Sequence, residues 1–365
     1  MGNTFGTNLK VTLFGESHGP AVGCVVDGLP PGVRVRSEAI AMEMEKRKAR
    51  GAIATARHEA DEVKILSGVK DGFAEGSPLT IVIENHDVRR SDYENRMLRP
   101  SHADYTAYVK YGGYEDFSGG GHFSGRLTAP LCAAGAIVKD MLEDKGIRIG
   151  SHIARLADVC DRDFADLKQD IEALNQKLFP VLDDTAGEKM MAAMAQAKAE
   201  GDSLGGILQT AVFGLPAGIS EPFFDSLEGI IAHAVFAIPA VKGIAFGSGF
   251  GFAGMKGSQA NDLFACEQGK IVTLTNHNGG INGGIANGMP VIFETVIKPT
   301  PSIALPQVSV SPLTKQAGIL EIKGRHDPAV IHRARPAVDA MTAFCLADQL
   351  LARYGTVYFA GRRKV

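Results

Sequence analysis

Five short islands hold the side chains best suited to chemistry: Gly15-Glu16-Ser17-His18-Gly19, Arg99-Pro100-Ser101-His102-Ala103-Asp104-Tyr105, Gly119-Gly120-Gly121-His122, Asn276-His277-Asn278-Gly279-Gly280 and Gly324-Arg325-His326-Asp327-Pro328. His18 stands between glycines and follows Val11-Thr12-Leu13-Phe14, so it sits on backbone with no bulk around it. An imidazole in that setting suits a general acid working near neutral pH. Beside His102, Pro100 fixes the approach, Asp104 can orient the ring and Arg99 offers a planar fork to an anion. Asp327 is a carboxylate on a constrained turn next to Arg325. The run Gly119–Arg126 leads into an apolar segment expected to be helical, and glycines feeding a helix N-terminus offer N–H groups to phosphate. Gly279-Gly280-Ile281-Asn282-Gly283-Gly284 suggests backbone lying close to a flat ligand. Histidines, an acid and arginines on glycine loops in both halves of the chain point to a site between the halves for a polyanionic small molecule.

Several other chemistries are disfavoured by context. Gly15-Glu16-Ser17-His18-Gly19 fits the Gly-x-Ser-x-Gly pattern of a nucleophile elbow, but an elbow turns into a helix and here Pro20 and a Val/Cys strand follow. No lysine follows the glycines as in a phosphate-binding Walker loop, and Gly247-Ser248-Gly249-Phe250-Gly251 lacks the helix of a dinucleotide fingerprint. A formal charge of −3 argues against a nucleic-acid binder, so an anion site must be a local arginine cluster. With 45% hydrophobic and 22% charged residues the chain is expected to be globular and cytoplasmic. It has no apolar run of the ~20 residues a membrane span needs, and no signal-peptide pattern at its start. Cys24, Cys132, Cys160, Cys266 and Cys345 lack metal spacing and read as reduced core thiols.

The elements that must position these residues repeat themselves. Gly15-Glu16-Ser17 with Gly28-Leu29-Pro30-Pro31-Gly32 parallels Gly201-Asp202-Ser203 with Gly214-Leu215-Pro216-Ala217-Gly218, both pairs being offset by 186 residues. Strand-like Val22–Val26 and Leu208–Val212 lie between them. A helix should follow each, capped by Ser37 in the first unit and by Asp225 or Ser226 in the second. Further strands are predicted at Val63–Ser67 and Leu79–Asn85, and long helices at about Leu127–Glu143 and Pro336–Tyr354. We read one domain over 1–365, with repeat halves of about 8–150 and 196–360 joined by a helical bridge of about 160–200. The fold class expected is α+β, an internally duplicated β-α-α-β sandwich with sheets outside and helices inside.

The island set resembles the signature of the chorismate synthase family nearly end to end, and that family shares such a duplicated sandwich. The resemblance implies a carbon–oxygen lyase that eliminates phosphate, trans-1,4, from 5-enolpyruvylshikimate 3-phosphate to give chorismate. It implies reduced FMN as cofactor, NADPH as a reductant, and a homotetramer. On the same basis His18 would protonate the departing phosphate, His102 would stabilise the protonation state of the flavin, and Asp327 would assist removal of the ring proton. Ser17, Arg47, Arg99, Arg126 and Arg325 would clamp the substrate anions, with Arg47 also implied in NADP contact. FMN would meet His122, Phe123, Ser124, Pro239, Ala240, Gly283, Lys298, Pro299, Thr300, Pro301, Ser302 and Arg325. The chain departs from the usual pattern at Ser118, His122, Gly125, Leu127 and Pro239, and at Lys46-Arg47-Lys48-Ala49-Arg50-Gly51. A flavin-dependent NADPH oxidoreductase, or a flavin-binding protein without catalysis, would use the same residues differently. Four guanidiniums gathered without a ligand should repel one another, so their loops are expected to open when empty.

Overall fold

A computed structural model describes residues 2–48, 61–86, 97–322 and 327–361. Two antiparallel five-stranded sheets face each other across a layer of helices. The first comprises β1 (Thr4–Phe5), β2 (Lys10–Gly15), β3 (Ala21–Asp27), β4 (Lys64–Ser67) and β7 (Leu79–Glu84), ordered β1-β2-β3-β7-β4. The second comprises β8 (Arg148–Leu156), β9 (Val159–Cys160), β10 (Gly206–Phe213), β11 (Val241–Phe246) and β16 (Val291–Ile297), ordered β11-β16-β10-β8-β9. Four two-stranded ribbons stand apart from them: β5–β6 (Val69–Lys70, Phe73–Ala74), β12–β13 (Phe264–Glu267, Lys270–Thr273), β14–β15 (Ile281–Asn282, Ile285–Ala286) and β17–β18 (Gln307–Val310, Ala317–Leu320). The helices are α1 (Ser37–Arg47), α2 (Asp104–Tyr111), α3 (Thr128–Glu143), α4 (Leu167–Gln176), α5 (Asp184–Ala199), α6 (Leu227–Phe236), α7 (Gly257–Ala260) and α8 (Ile331–Tyr354).

The sheets correspond strand for strand. β2, β3, β7 and β4 lie side by side in one, and β8, β10, β16 and β11 in the other. α1 and α6 follow the equivalent strands β3 and β10, while α3 and α8 come after the equivalent strands β7 and β16. Shifting β3 by 186 residues places it on 207–213, inside β10. This is the α+β duplicated sandwich expected from the residues. In β7 burial alternates along Leu79, Ile81 and Ile83, because successive side chains face opposite ways and only one face meets the helices.

α3 and α8 are buried on nearly every side, since each lies between a sheet and the other helix. Gly135 lets them touch: a Cβ there would lie 2.3 Å from the Cβ of Ala340. α8 starts at Ile331, five residues before the expected Pro336, because a proline so near the helix start removes a single early hydrogen bond. Ser226 caps α6 by accepting from Gly229 N at 3.1 Å, whereas Ser37 is the first residue of α1 and gives it no side-chain cap. The stretch of about 160–200 read as a bridge holds α4 and α5, each capped by an aspartate, Asp166 and Asp183. Since β8 before it and β10 after it both belong to the second sheet, it is an insertion within the second half and does not join the halves. Between α1, α3 and α8 lies a buried ionic cluster. Glu43 accepts from Lys46 at 2.6 Å and Lys139 at 2.8 Å, and Lys139 also faces Asp339 on α8. Of the five thiols only Cys24, Cys132 and Cys345 are in the core; Cys160 and Cys266 are exposed, because each sits on a short strand at an edge of its sheet or ribbon.

Candidate active site

β2 and β3 form a tight hairpin whose connection, Glu16–Pro20, carries the first histidine, so no helix follows Ser17 and the elbow geometry is absent. Ser17 and His18 are buried, and Ser17 Oγ lies 3.1 Å from His18 Nδ1. The backbone N–H of Ser17 donates to Gly121 O at 3.1 Å, which draws the glycine loop over the hairpin. Asn85, at the end of β7, holds the same turn from the other side by donating to Glu16 O and Gly19 O, both at 2.9 Å.

Gly119, Gly120 and Gly121 all have positive φ and do not form the helix N-terminus expected of them, since α3 begins at Thr128. Their role is close approach. A Cβ on Gly119 would fall 2.0 Å from His18 Cε1, and one on Gly120 would fall 3.1 Å from His102 Cε1. Two histidines 84 positions apart in the chain therefore face adjacent residues of one loop.

His102 Nδ1 lies 2.7 Å from Asp104 Oδ1, and Arg99 grips the same carboxylate through Nε at 2.8 Å and Nη2 at 2.7 Å. Burial by itself would raise the Asp104 carboxyl, but the hydrogen bonds from Arg99 and His102 outweigh it and hold the group well below the usual carboxylate range. An ionised Asp104 fixes the proton of His102 on Nδ1 and directs Nε2 toward the glycine loop. Phe123, Phe117 and Gly120 line a small cavity together with His102.

The arginines do not stand empty. Arg47 Nη1 lies 3.2 Å from one oxygen of Asp61, and Arg126 Nη1 bonds the other. Arg126 also donates to Asn85 Oδ1 at 2.9 Å and to Glu84 O at 3.2 Å, while Arg47 donates to Gly125 O at 3.3 Å and Thr128 Oγ1 at 3.1 Å. Burial lowers the Arg47 guanidinium, with Asp61 opposing, though arginine remains charged. The expectation of mutually repelling guanidiniums is thus corrected for Arg47, Arg99 and Arg126: each faces a carboxylate. Arg325 and His326 lie outside the described residues. Asp327 pairs with Arg333 at the start of α8, and Arg333 Nε donates to Arg47 O at 2.8 Å, so Asp327 joins the arginine group through one intermediary.

The predicted flavin segments meet only in part. Lys298 Nζ donates to Ser101 O at 2.6 Å and Lys298 N to Ala240 O at 2.9 Å, which ties Ala240 and its neighbour Pro239 to the His102 loop. Thr300 O accepts from Ser203 Oγ at 2.8 Å. His122 is engaged on both ring nitrogens, with Gly15 O at 2.9 Å and Asn3 Oδ1 at 3.2 Å, and Ser124 Oγ accepts from Arg126 N at 3.2 Å. Gly283 lies in the β14–β15 turn with open space where a Cβ would be, and Pro301 and Ser302 follow Thr300 in the loop before β17. Sequence reasoning missed Asp61, Asn85 and Arg333. None of them stands in a glycine island, and only the convergence of three segments reveals them. Among the described residues no group of His, Cys, Asp and Glu could hold a metal ion, and no helix is long and apolar enough to cross a membrane.

Comparison with known proteins agrees on one relationship. The chorismate synthase family model matches residues 9–351. The chorismate synthase of Thermococcus kodakarensis is 45% identical over 95% of this chain and 97% of its own length. That of Dehalococcoides mccartyi is 44% identical over 96% and 97%. A crystal structure of chorismate synthase superposes with a TM-score of 0.73 at 26% identity, covering 96% of this chain and 94% of the other.

Proposed function

Since the chain belongs to the chorismate synthase family, we propose that it is a carbon–oxygen lyase converting 5-enolpyruvylshikimate 3-phosphate to chorismate by trans-1,4 elimination of phosphate, in the shikimate route to aromatic amino acids. The observation that carries this reading is the meeting of His18 and His102 on Gly119 and Gly120, beside the paired arginines Arg47 and Arg126. One acid–base pair and one anion clamp within a single loop cluster suit loss of an anionic leaving group.

Reduced FMN suits the segment that Lys298 ties to the His102 loop. Among the described residues Thr300 Oγ1, two positions on, is buried with no hydrogen-bond partner. Bound there, the reduced flavin would supply an electron-rich ring that assists departure of the allylic phosphate. Lys298, Pro299, Thr300, Pro301, Ser302, Pro239, Ala240, Gly283, Phe123 and Arg325 would hold it. We assign His122 and Ser124 to supporting the loop, because both are tied to structural partners. His18 would deliver a proton to the departing phosphate from the nitrogen that does not face Ser17. His102, fixed by Asp104, would present Nε2 to the flavin edge, and Arg99 keeps Asp104 ionised. Asp327 would accept the ring proton with its position set by Arg333. Arg47 and Arg126, with Ser17 and Arg325, would take the substrate anions. Arg47 is buried between Asp61 and the start of α3, so we assign it to substrate and not to NADPH.

A homotetramer in the cytoplasm is the assembly and location we propose. The largely exposed rings of Phe223, Phe224 and Phe250 support association, since isolated domains rarely leave such area in water. Chorismate formation, followed anaerobically by absorbance with chemically reduced FMN, tests the activity. Product should require both substrate and reduced flavin. NADPH consumption without substrate, and no chorismate, would favour an oxidoreductase.

A further inference from the structure

Resting on the assignment of Arg47 and Arg126 to the substrate anions, we infer that Asp61 is a resident counter-anion, occupying the slot between them and yielding it when substrate binds. Each guanidinium is oriented by uncharged acceptors: Gly125 O and Thr128 Oγ1 for Arg47, Asn85 Oδ1 and Glu84 O for Arg126. Those bonds aim the remaining edges at one point. Asp61 fills it with one oxygen to each arginine, the bridging geometry a phosphate or carboxylate would adopt. All three side chains are at most 7% exposed, so the slot is desolvated and selects an anion.

The charges are unequal. Two guanidiniums share a single carboxylate, and Arg47 Nε is buried with no hydrogen-bond partner among the described residues. A phosphate with two charges would neutralise the pair better than Asp61 does. Asp61 lies outside helix and strand, three residues before β4, with φ of +51°, a left-handed conformation that costs a non-glycine residue free energy and that leaving the slot can relieve. Rotating it away disturbs no sheet hydrogen bond. The device keeps the clamp closed to water while empty, and its return competes with product phosphate for release.

The test replaces the charge and keeps the shape, as Asp61→Asn. Inorganic phosphate and shikimate, titrated separately by calorimetry into the protein with oxidised FMN, separate a phosphate slot from a carboxylate slot. One of the two should bind roughly tenfold tighter to the variant, the value of removing one competing charge-assisted hydrogen bond. KM for substrate should fall, and phosphate should become a stronger product inhibitor. Unchanged or weaker binding of both anions, or a raised KM, would identify Asp61 as a fixed strut and overturn the inference. Should the variant fail to fold, carbodiimide labelling of the wild-type protein decides. Modification of Asp61 should rise several-fold with saturating phosphate and FMN, and unchanged labelling overturns the idea. If the wild type makes no chorismate yet Asp61→Asn still gains an anion, the proposed function fails while the slot stands. If chorismate forms and no anion is gained, only this inference fails.

Discussion

Gly119→Ala is the substitution that most directly tests the arrangement of the two histidines. Gly119 has φ of +62°, and a Cβ there would stand 2.0 Å from His18 Cε1 and 2.1 Å from Nδ1. Carbon contacts settle near 3.5–4.0 Å, so the ring or the loop must move by about 1.5 Å. The ring has little room to turn, being buried and held by Ser17 Oγ at Nδ1. The left-handed backbone adds about 1–2 kcal/mol of strain for alanine. A displacement of that size at a reacting group costs on the order of 10²-fold in rate. Gly112→Ala supplies the control. It has the same φ of +62°, nothing lies within 4 Å of its Cβ, and it caps α2 away from His18. Both variants carry the same backbone strain, so Gly119→Ala should melt lower than Gly112→Ala by the added clash, about 1–3 kcal/mol, and only Gly119→Ala should lose about 10²-fold in kcat with KM nearly unchanged. Equal turnover in the two folded variants would refute the claim that Gly119 sets the position of the imidazole.

His18→Ala and His102→Ala should each lower turnover roughly 10²–10⁴-fold, the usual worth of a general acid–base group, while FMN fluorescence quenching shows binding retained. His332 is buried, and burial first, with Arg333 adding, pushes its imidazole down to about 4 from 6.5. The unfolded chain therefore takes up this proton first as pH falls. Stability is full above about pH 6.5 and drops by up to about 3 kcal/mol on the way to about pH 4, and His332→Gln should remove that slope in urea titrations. A disulfide exchange reagent should label two of the five thiols in the native protein, Cys160 and Cys266, since burial pushes Cys24 and Cys132 up to about 12 and raises Cys345 further. Labelling of all five without denaturant would contradict the core described above.

Local pattern was enough for much of this protein. The hairpin that ends at His18, the apolar helices α3 and α8, the strand pair offset by 186 residues and the family itself are all legible in one chain, because periodicity and glycine placement report on neighbours within a few residues. What sequence could not supply is which charges meet. Asp61 bridges Arg47 and Arg126 from separate segments, and Asp104, expected to orient His102, also takes Arg99. Nothing in the spacing marks the carboxylate partners of the arginines, so the four-arginine cluster was expected to be bare. The triple glycine was misjudged for a related reason. A glycine run before a helix looks the same whether its backbone greets a phosphate or lets two imidazoles press against it, and the difference lies in the 2.0 Å and 3.1 Å that a Cβ would leave. Ion pairs and close approaches between distant segments are set by how the sheets and helices stack, and that stacking exists only in the folded chain.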